Sequence, residues 1–168
     1  LLSGKFAMNL LEALVDFGRA NLTPSNDWYA WKPINPIYLP QGVVLPSGSQ
    51  YSKNVALKLA LSEFYSAGDE NIRFNLTRYY IAVWGGVRGN KEETLRTYAL
   101  SEPSVLIANG KKGIASWSKA LCVRNPRAYA IYDARVALAL NCLQKSYPID
   151  TPILFPLLTG QNQAVNSG

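Results

Sequence analysis

Seven cations and one acid occupy the stretch between Pro103 and Ile149: Lys111, Lys112, Lys119, Arg124, Arg127, Arg135 and Lys145 against the lone Asp133. Asp133 sits in Ala128-Tyr129-Ala130-Ile131-Tyr132-Asp133-Ala134-Arg135-Val136, where a short apolar, extended run meets a predicted helix start. An aspartate there is a favoured N-cap, accepting hydrogen bonds from the first free backbone N–H groups. It is also the one negative charge available to a reaction in this region. The chain has no histidine, which excludes Ser-His and Cys-His nucleophile pairs and the usual histidine-bearing zinc and iron sites. Two cysteines, Cys122 and Cys142, are too few for a four-thiolate centre. Catalysis would therefore run on carboxylates, lysines, hydroxyls or backbone dipoles, and no metal or cofactor is expected. Both cysteines lie in apolar helical stretches and are expected to be reduced, buried thiols.

The elements that must position these groups read as helices. A chain of 168 residues, 48% hydrophobic, is ample for one domain with a proper core, and residues 1–168 are expected to form a single domain. From Lys5 to Arg19, Phe6, Leu10, Ala13, Leu14 and Phe17 recur at helical spacing. Residues 21–51 hold five of the ten prolines together with Gly42 and Gly48, so they form a long irregular loop, tied down by Trp28, Tyr29, Trp31 and Tyr38. Ser52 is expected to cap a helix to about Ser66, with Val55, Leu59 and Leu57 or Leu61 inward, stopped at Gly68. Helical spacing returns over Asn71–Trp84 through Ile72, Leu76, Tyr79, Tyr80 and Val83. Gly85-Gly86-Val87-Arg88-Gly89 breaks it, and Asn90 with Glu93 forms a capping pair for a helix to Ser101.

Pro103 suits the first turn of a short helix ending near Asn109-Gly110, and a further helix covers Ile114–Val123. Asn125-Pro126 ends that helix, Tyr129–Tyr132 is extended, Ala134–Leu143 is helical, and Pro148, Pro152 and Pro156 make residues 147–168 irregular. The fold class expected is all-α. No stretch is long and apolar enough to span a membrane, and the opening Leu1-Leu2-Ser3-Gly4 does not resemble a signal peptide, which favours an intracellular, cytoplasmic location. A formal charge of +6 favours polyanionic partners.

Tyr129–Val136 resembles the segment of helix-hairpin-helix DNA glycosylases in which an aromatic, a short hydrophobic run and the catalytic aspartate precede a helix. In that family two short helices joined by a glycine-bearing turn lie just upstream. Val105–Ala108, the turn Asn109-Gly110-Lys111-Lys112-Gly113, and Ile114–Leu121 occupy that place here. The likeness is nearest to bacterial proteins with an 8-oxoguanine DNA glycosylase-like fold. It rests also on Trp84-Gly85-Gly86-Val87-Arg88-Gly89, on Ser116-Trp117-Ser118-Lys119 and on the tail around Phe155-Pro156, covering the chain from about position 76. The chain departs from the family pattern in lacking its Leu-Pro-Gly-hydrophobic-Gly turn and its iron-sulfur cysteines. Lys119 lies only fourteen positions before Asp133, closer than in bifunctional members.

The resemblance implies excision of a flipped base from double-stranded DNA. Cleavage of the glycosidic bond passes through an oxocarbenium-like sugar, which Asp133 would stabilise. The nucleophile would be water, or the amine of Lys119 through a Schiff base. Gly110, Lys111, Lys112 and Gly113, with Arg88 and Arg135, would contact phosphates. Trp84, Trp117 and Phe155 would wall the base pocket, with Gln161 and Asn162 in reach of the base, although core packing for the tryptophans and a mobile tail account for the same residues. Two other readings stay open: a non-catalytic DNA-binding module with Asp133 as a cap, and an all-α protein-interaction domain.

Overall fold

The computed structural model describes residues 8–23 and 28–159. Its regular structure among these is entirely helical: α1 (Leu10–Asn21), α2 (Gln50–Ala67), α3 (Glu70–Arg78) running into a π-helix (Tyr79–Trp84), α4 (Glu92–Leu100), α5 (Pro103–Ile107), α6 (Ile114–Arg124) and α7 (Ala134–Ser146), with a 3-10 turn at Pro36–Tyr38. No described helix is long and apolar enough to cross a membrane. The chain divides into two units, one of residues up to Tyr29 together with those from Asp133 onward, the other Ala30–Tyr132.

In the first unit, α1 opens with a reciprocal cap. Asn9 Oδ1 accepts from Glu12 N (3.0 Å), and Glu12 Oε2 accepts from Asn9 N (2.8 Å). This places the helix start at Leu10; Lys5 and Phe6, expected at its beginning, lie outside the described residues. Ala13 is buried as expected, whereas Leu14 is exposed. The proline-rich segment after α7 is irregular, yet the backbone of Ile153 and Phe155 is held by side chains of α7. Asn141 exchanges two hydrogen bonds with the Phe155 peptide (2.8 and 3.0 Å), and Gln144 does the same with Ile153 (2.8 and 2.6 Å). Two side-chain amides one helical turn apart thus serve alternate residues of an extended segment, as a neighbouring strand would. Met8 and Ile149 form an isolated parallel bridge in the same unit.

In the second unit, α6 is the centre. All eight residues from Ser116 to Val123 are buried, and α2, α3, α4 and the π-helix pack against it. The segment before α2 is held by Trp31, Ile34, Leu39, Val43 and Leu45 against the core. Tyr38, expected to help, is 59% exposed. α2 begins three residues before its expected start, because Ser49 rather than Ser52 supplies the cap. Its inward face is Asn54, Leu57, Leu61 and Tyr65, while Leu59 is 41% exposed. Over Asn71–Trp84, Leu76, Tyr79 and Tyr80 are buried as expected, but Ile72 and Val83 are exposed, and Phe74, Ile81 and Trp84 are buried in addition. The π-helix bears on the last six positions of this stretch. Tyr79, Tyr80, Ile81 and Trp84 all turn inward along its wider turn. α4 lacks the Asn90 cap expected for it, since Asn90 Nδ2 donates to Ser116 Oγ (2.9 Å) and Lys91 occupies the cap position.

Candidate functional site

Asp133 is the N-cap of α7. Its Oδ1 accepts from the backbone N–H of Arg135 (3.1 Å) and of Val136 (3.2 Å), so the carboxylate is fixed at the positive end of the helix. The peptide just before it is also fixed. Tyr132 N donates to Ser118 Oγ (3.1 Å), and the same hydroxyl donates to Tyr132 O (3.3 Å). Arg135 presents an exposed side chain in the first turn of α7. Phe155, in the same unit, is half-buried, with its peptide held by Asn141.

Lys119 belongs to the other unit and is 2% exposed. Its Nζ donates to Ala115 O (2.8 Å), one turn earlier on α6. Gly85 makes room for it: a β-carbon there would stand 2.9 Å from Lys119 Cε and 2.7 Å from Ile81 O. The glycine of Trp84-Gly85-Gly86 therefore serves the packing of a buried lysine, a role no local pattern reveals.

The turn between α5 and α6 carries two left-handed glycines, Gly110 (φ 56°) and Gly113 (φ 67°). At Gly113 the requirement is double, because a β-carbon would collide with the Tyr98 hydroxyl. Lys111 and Lys112 are exposed. The amides expected to bind phosphate are partly spent inside the turn: Gly110 N donates to Ile107 O (3.0 Å) and Lys112 N to Asn109 O (3.1 Å). The ammonium groups remain as the turn's phosphate-seeking chemistry.

Both tryptophans have committed indole N–H groups. Trp84 Nε1 donates to Asn54 Oδ1 (2.6 Å), its ring stacks on Tyr80 at 4.2 Å, and Trp31 lies 5.2 Å away. Trp117 Nε1 donates to Lys112 O (3.1 Å), and the ring packs with Leu106 and Leu121. The structure thus brings Lys112, Gly113 and Trp117 together, and separately Gly85 and Lys119. Trp84 also lines an open cleft with Arg88, Lys32 and Arg78. Lys32 and Arg78 were not legible as site residues, because one lies in an irregular segment and the other in an ordinary helix turn. Gln161 and Asn162 lie outside the described residues.

Cys122 is buried as expected, but Cys142 is exposed, lining an open groove with Leu14, Phe17 and Leu143. Burial pushes the Cys122 thiol pKa up, against the pull of Lys58, the Tyr80 hydroxyl and Lys119. Burial likewise raises Tyr79, Tyr98 and Tyr132. The chain matches no protein-family model, no curated protein and no solved structure.

Proposed function

We propose that this protein is a DNA base-excision glycosylase acting on double-stranded DNA, with Asp133 stabilising the oxocarbenium-like sugar and water as the nucleophile. The observation that carries the reading is the fixation of Asp133. Its carboxylate is held by two α7 amides, and the Tyr132 peptide before it is gripped at both N–H and C=O by Ser118. A preorganised anion costs little reorganisation when positive charge develops beside it. Capping and catalysis are compatible, because the cap uses hydrogen bonds that the ionised form accepts best. The water route is favoured over the Lys119 amine by the burial of that amine and its bond to Ala115 O. Lys111 and Lys112, exposed on their turn, supply phosphate contacts, with Arg88 and Arg135 as further cations. Of the three aromatics assigned to the base pocket, Trp84 retains an open cleft beside it, Trp117 is packed under its turn, and Phe155 is half-buried. The same cap geometry also serves the second reading, a non-catalytic DNA-binding module in which Asp133 only starts α7.

The test is base release from a panel of duplexes carrying damaged or modified bases, scored as alkali-labile abasic sites. Asp133→Asn still offers an oxygen to the cap but no charge, and is expected to lose about two orders of magnitude or more in rate with DNA affinity retained. Excision at the native rate in Asp133→Asn reduces Asp133 to a cap. Borohydride is expected to trap no protein-DNA adduct; an adduct that forms and then disappears in Lys119→Gln establishes the amine route instead.

A further inference from the structure

Within the Ala30–Tyr132 unit, the segment Lys32–Tyr38 faces the end of α3 and the π-helix across a cleft of about 480 Å³. Among the described residues its lining carries three cations, Lys32, Arg78 and Arg88, and no acid. Apart from Asn35 the rest is apolar or aromatic, including Ile34, Val83 and Tyr38.

The π-helix makes this wall. Its wide turn shifts the hydrogen bonds that follow, so that Gly85 N reaches back to Tyr80 O (3.0 Å) and Val87 N to Ile81 O (3.0 Å). Lys32 Nζ donates to Val83 O (3.0 Å), answering one carbonyl at the end of that turn. Lys32 therefore has a structural use. Arg78 and Arg88 have none that is visible: both are exposed, and among the described residues neither guanidinium meets a carboxylate or any other acceptor. Three like charges around one concavity repel one another, and no acid of the cleft offsets that repulsion. An anion seated between them would. Two unengaged arginines suit phosphate, whose oxygens match the planar guanidinium fork.

A phosphate alone would leave most of the cleft empty. Its volume falls within the roughly 300–1,000 Å³ typical of small-ligand sites. The exposed ring of Tyr38, with Ile34 and Val83 beside it, offers a nucleobase a surface to stack on. Asn35 Oδ1 is occupied by Ile37 N (3.0 Å), which leaves its amide nitrogen as a donor on the cleft lining.

We propose that this cleft is a nucleotide site, with Arg78 and Arg88 holding the phosphate and Tyr38 the base. Every residue of this site lies in the Ala30–Tyr132 unit, and Asp133 is not among them. The ligand is either a free mononucleotide or one nucleotide of a single strand, and the two share this chemistry.

Calorimetric titration of the whole chain with dTMP, inorganic phosphate and an unlabelled oligothymidylate tests it. The double variant Arg78→Ala, Arg88→Ala is expected to weaken dTMP binding by at least about tenfold, with the helical circular dichroism retained. The double variant Lys91→Ala, Arg127→Ala removes the same charge from exposed positions off the cleft and is expected to leave affinity within about twofold. Tyr38→Ala should weaken dTMP and not inorganic phosphate. Asp133→Asn should bind as the wild type, which separates this proposal from the excision chemistry. An oligothymidylate bound far more tightly than dTMP makes the ligand a strand, and equal affinities make it a free nucleotide. Three results overturn the proposal: no binding of dTMP or the oligomer at millimolar concentration, equal losses in the two double variants, or phosphate bound as tightly as dTMP.

Discussion

α6 and α7 each carry one of the charged side chains that sequence patterns single out, and they treat them in opposite ways. α6 is buried on every side from Ser116 to Val123, whereas α7 buries only Ala134, Ala137 and Leu143. Each polar side chain of that α6 run has its hydrogen bonds inside the protein: Ser116 accepts from Asn90, Ser118 bridges the Tyr132 peptide, and Lys119 donates to Ala115 O. The polar groups of α7 lie nearer solvent, where Asp133 caps the helix and Asn141 and Gln144 hold the tail segment. A charge within α6 is therefore a packing element whose removal disturbs the core. A charge at the start of α7 is a local electrostatic device that can be altered with little effect on packing.

The largest expected effect that would break this contrast lies at Lys119. Lys119→Ala removes a long buried side chain next to Gly85 and is expected to cost about 2–4 kcal/mol in urea-induced unfolding, as for other large-to-small core changes. Lys119→Met keeps most of the volume and discards the buried charge. It should be close to neutral or stabilising by about 1 kcal/mol, because an apolar isostere avoids the cost of desolvating an ammonium. A Lys119→Met variant as unstable as Lys119→Ala would show that the ammonium itself is required, and α6 would then resemble α7 in depending on its charge.

The contrast also shows what was legible in advance. α5, α6 and α7 are marked by Pro103, by the glycine-rich turn and by high helix propensity, and they form close to where these signals put them. The Asp133 cap was visible because capping is a local interaction between a side chain and the next three residues. The inward face over Asn71–Trp84 was legible in part: Leu76, Tyr79 and Tyr80 are buried as expected, while Val83, within the π-helix that breaks the regular period, is exposed, and so is Ile72. The burial of Lys119 was not legible, since it depends on the absence of a side chain at Gly85, thirty-four positions away. The cationic cleft joins Lys32, Arg78 and Arg88 from three separate segments, and tertiary packing alone assembles them.

A smaller effect is expected at the start of α7. Asp133→Ala leaves the Arg135 and Val136 amides without their acceptor and should cost about 1 kcal/mol. Asp133→Asn should recover most of that loss, since asparagine caps almost as well. Thermal unfolding followed by circular dichroism distinguishes the two. If both variants fall by the amount seen for Lys119→Ala, Asp133 is holding more than a helix end.

The smallest effect uses the one cysteine on each helix. Cys122 on α6 is buried and Cys142 on α7 is exposed, so iodoacetamide at mildly alkaline pH should label Cys142 in the folded protein and reach Cys122 only in denaturant. The same burial gives a pH dependence whose sign is fixed. The Cys122 pKa is raised in the fold, so the native state keeps its proton while the unfolded thiol begins to ionise near its ordinary value of about 8.5. The unfolded state then binds fewer protons than the native state, and stability falls as pH rises through that range. Below it the contribution of the protonated thiol is fully present. One group can supply a slope of at most about 1.4 kcal/mol per pH unit, and the opposing influence of Lys58, Tyr80 and Lys119 keeps it smaller. Urea unfolding at a series of pH values should show this slope in the wild type and lose it between about pH 8.5 and 9.5 in Cys122→Ala, before the buried tyrosines contribute above their ordinary value of about 10. Equal labelling of the two thiols in the native protein would mean that α6 opens to solvent as readily as α7, and the difference between the two helices would then be one of average structure without a matching difference in stability.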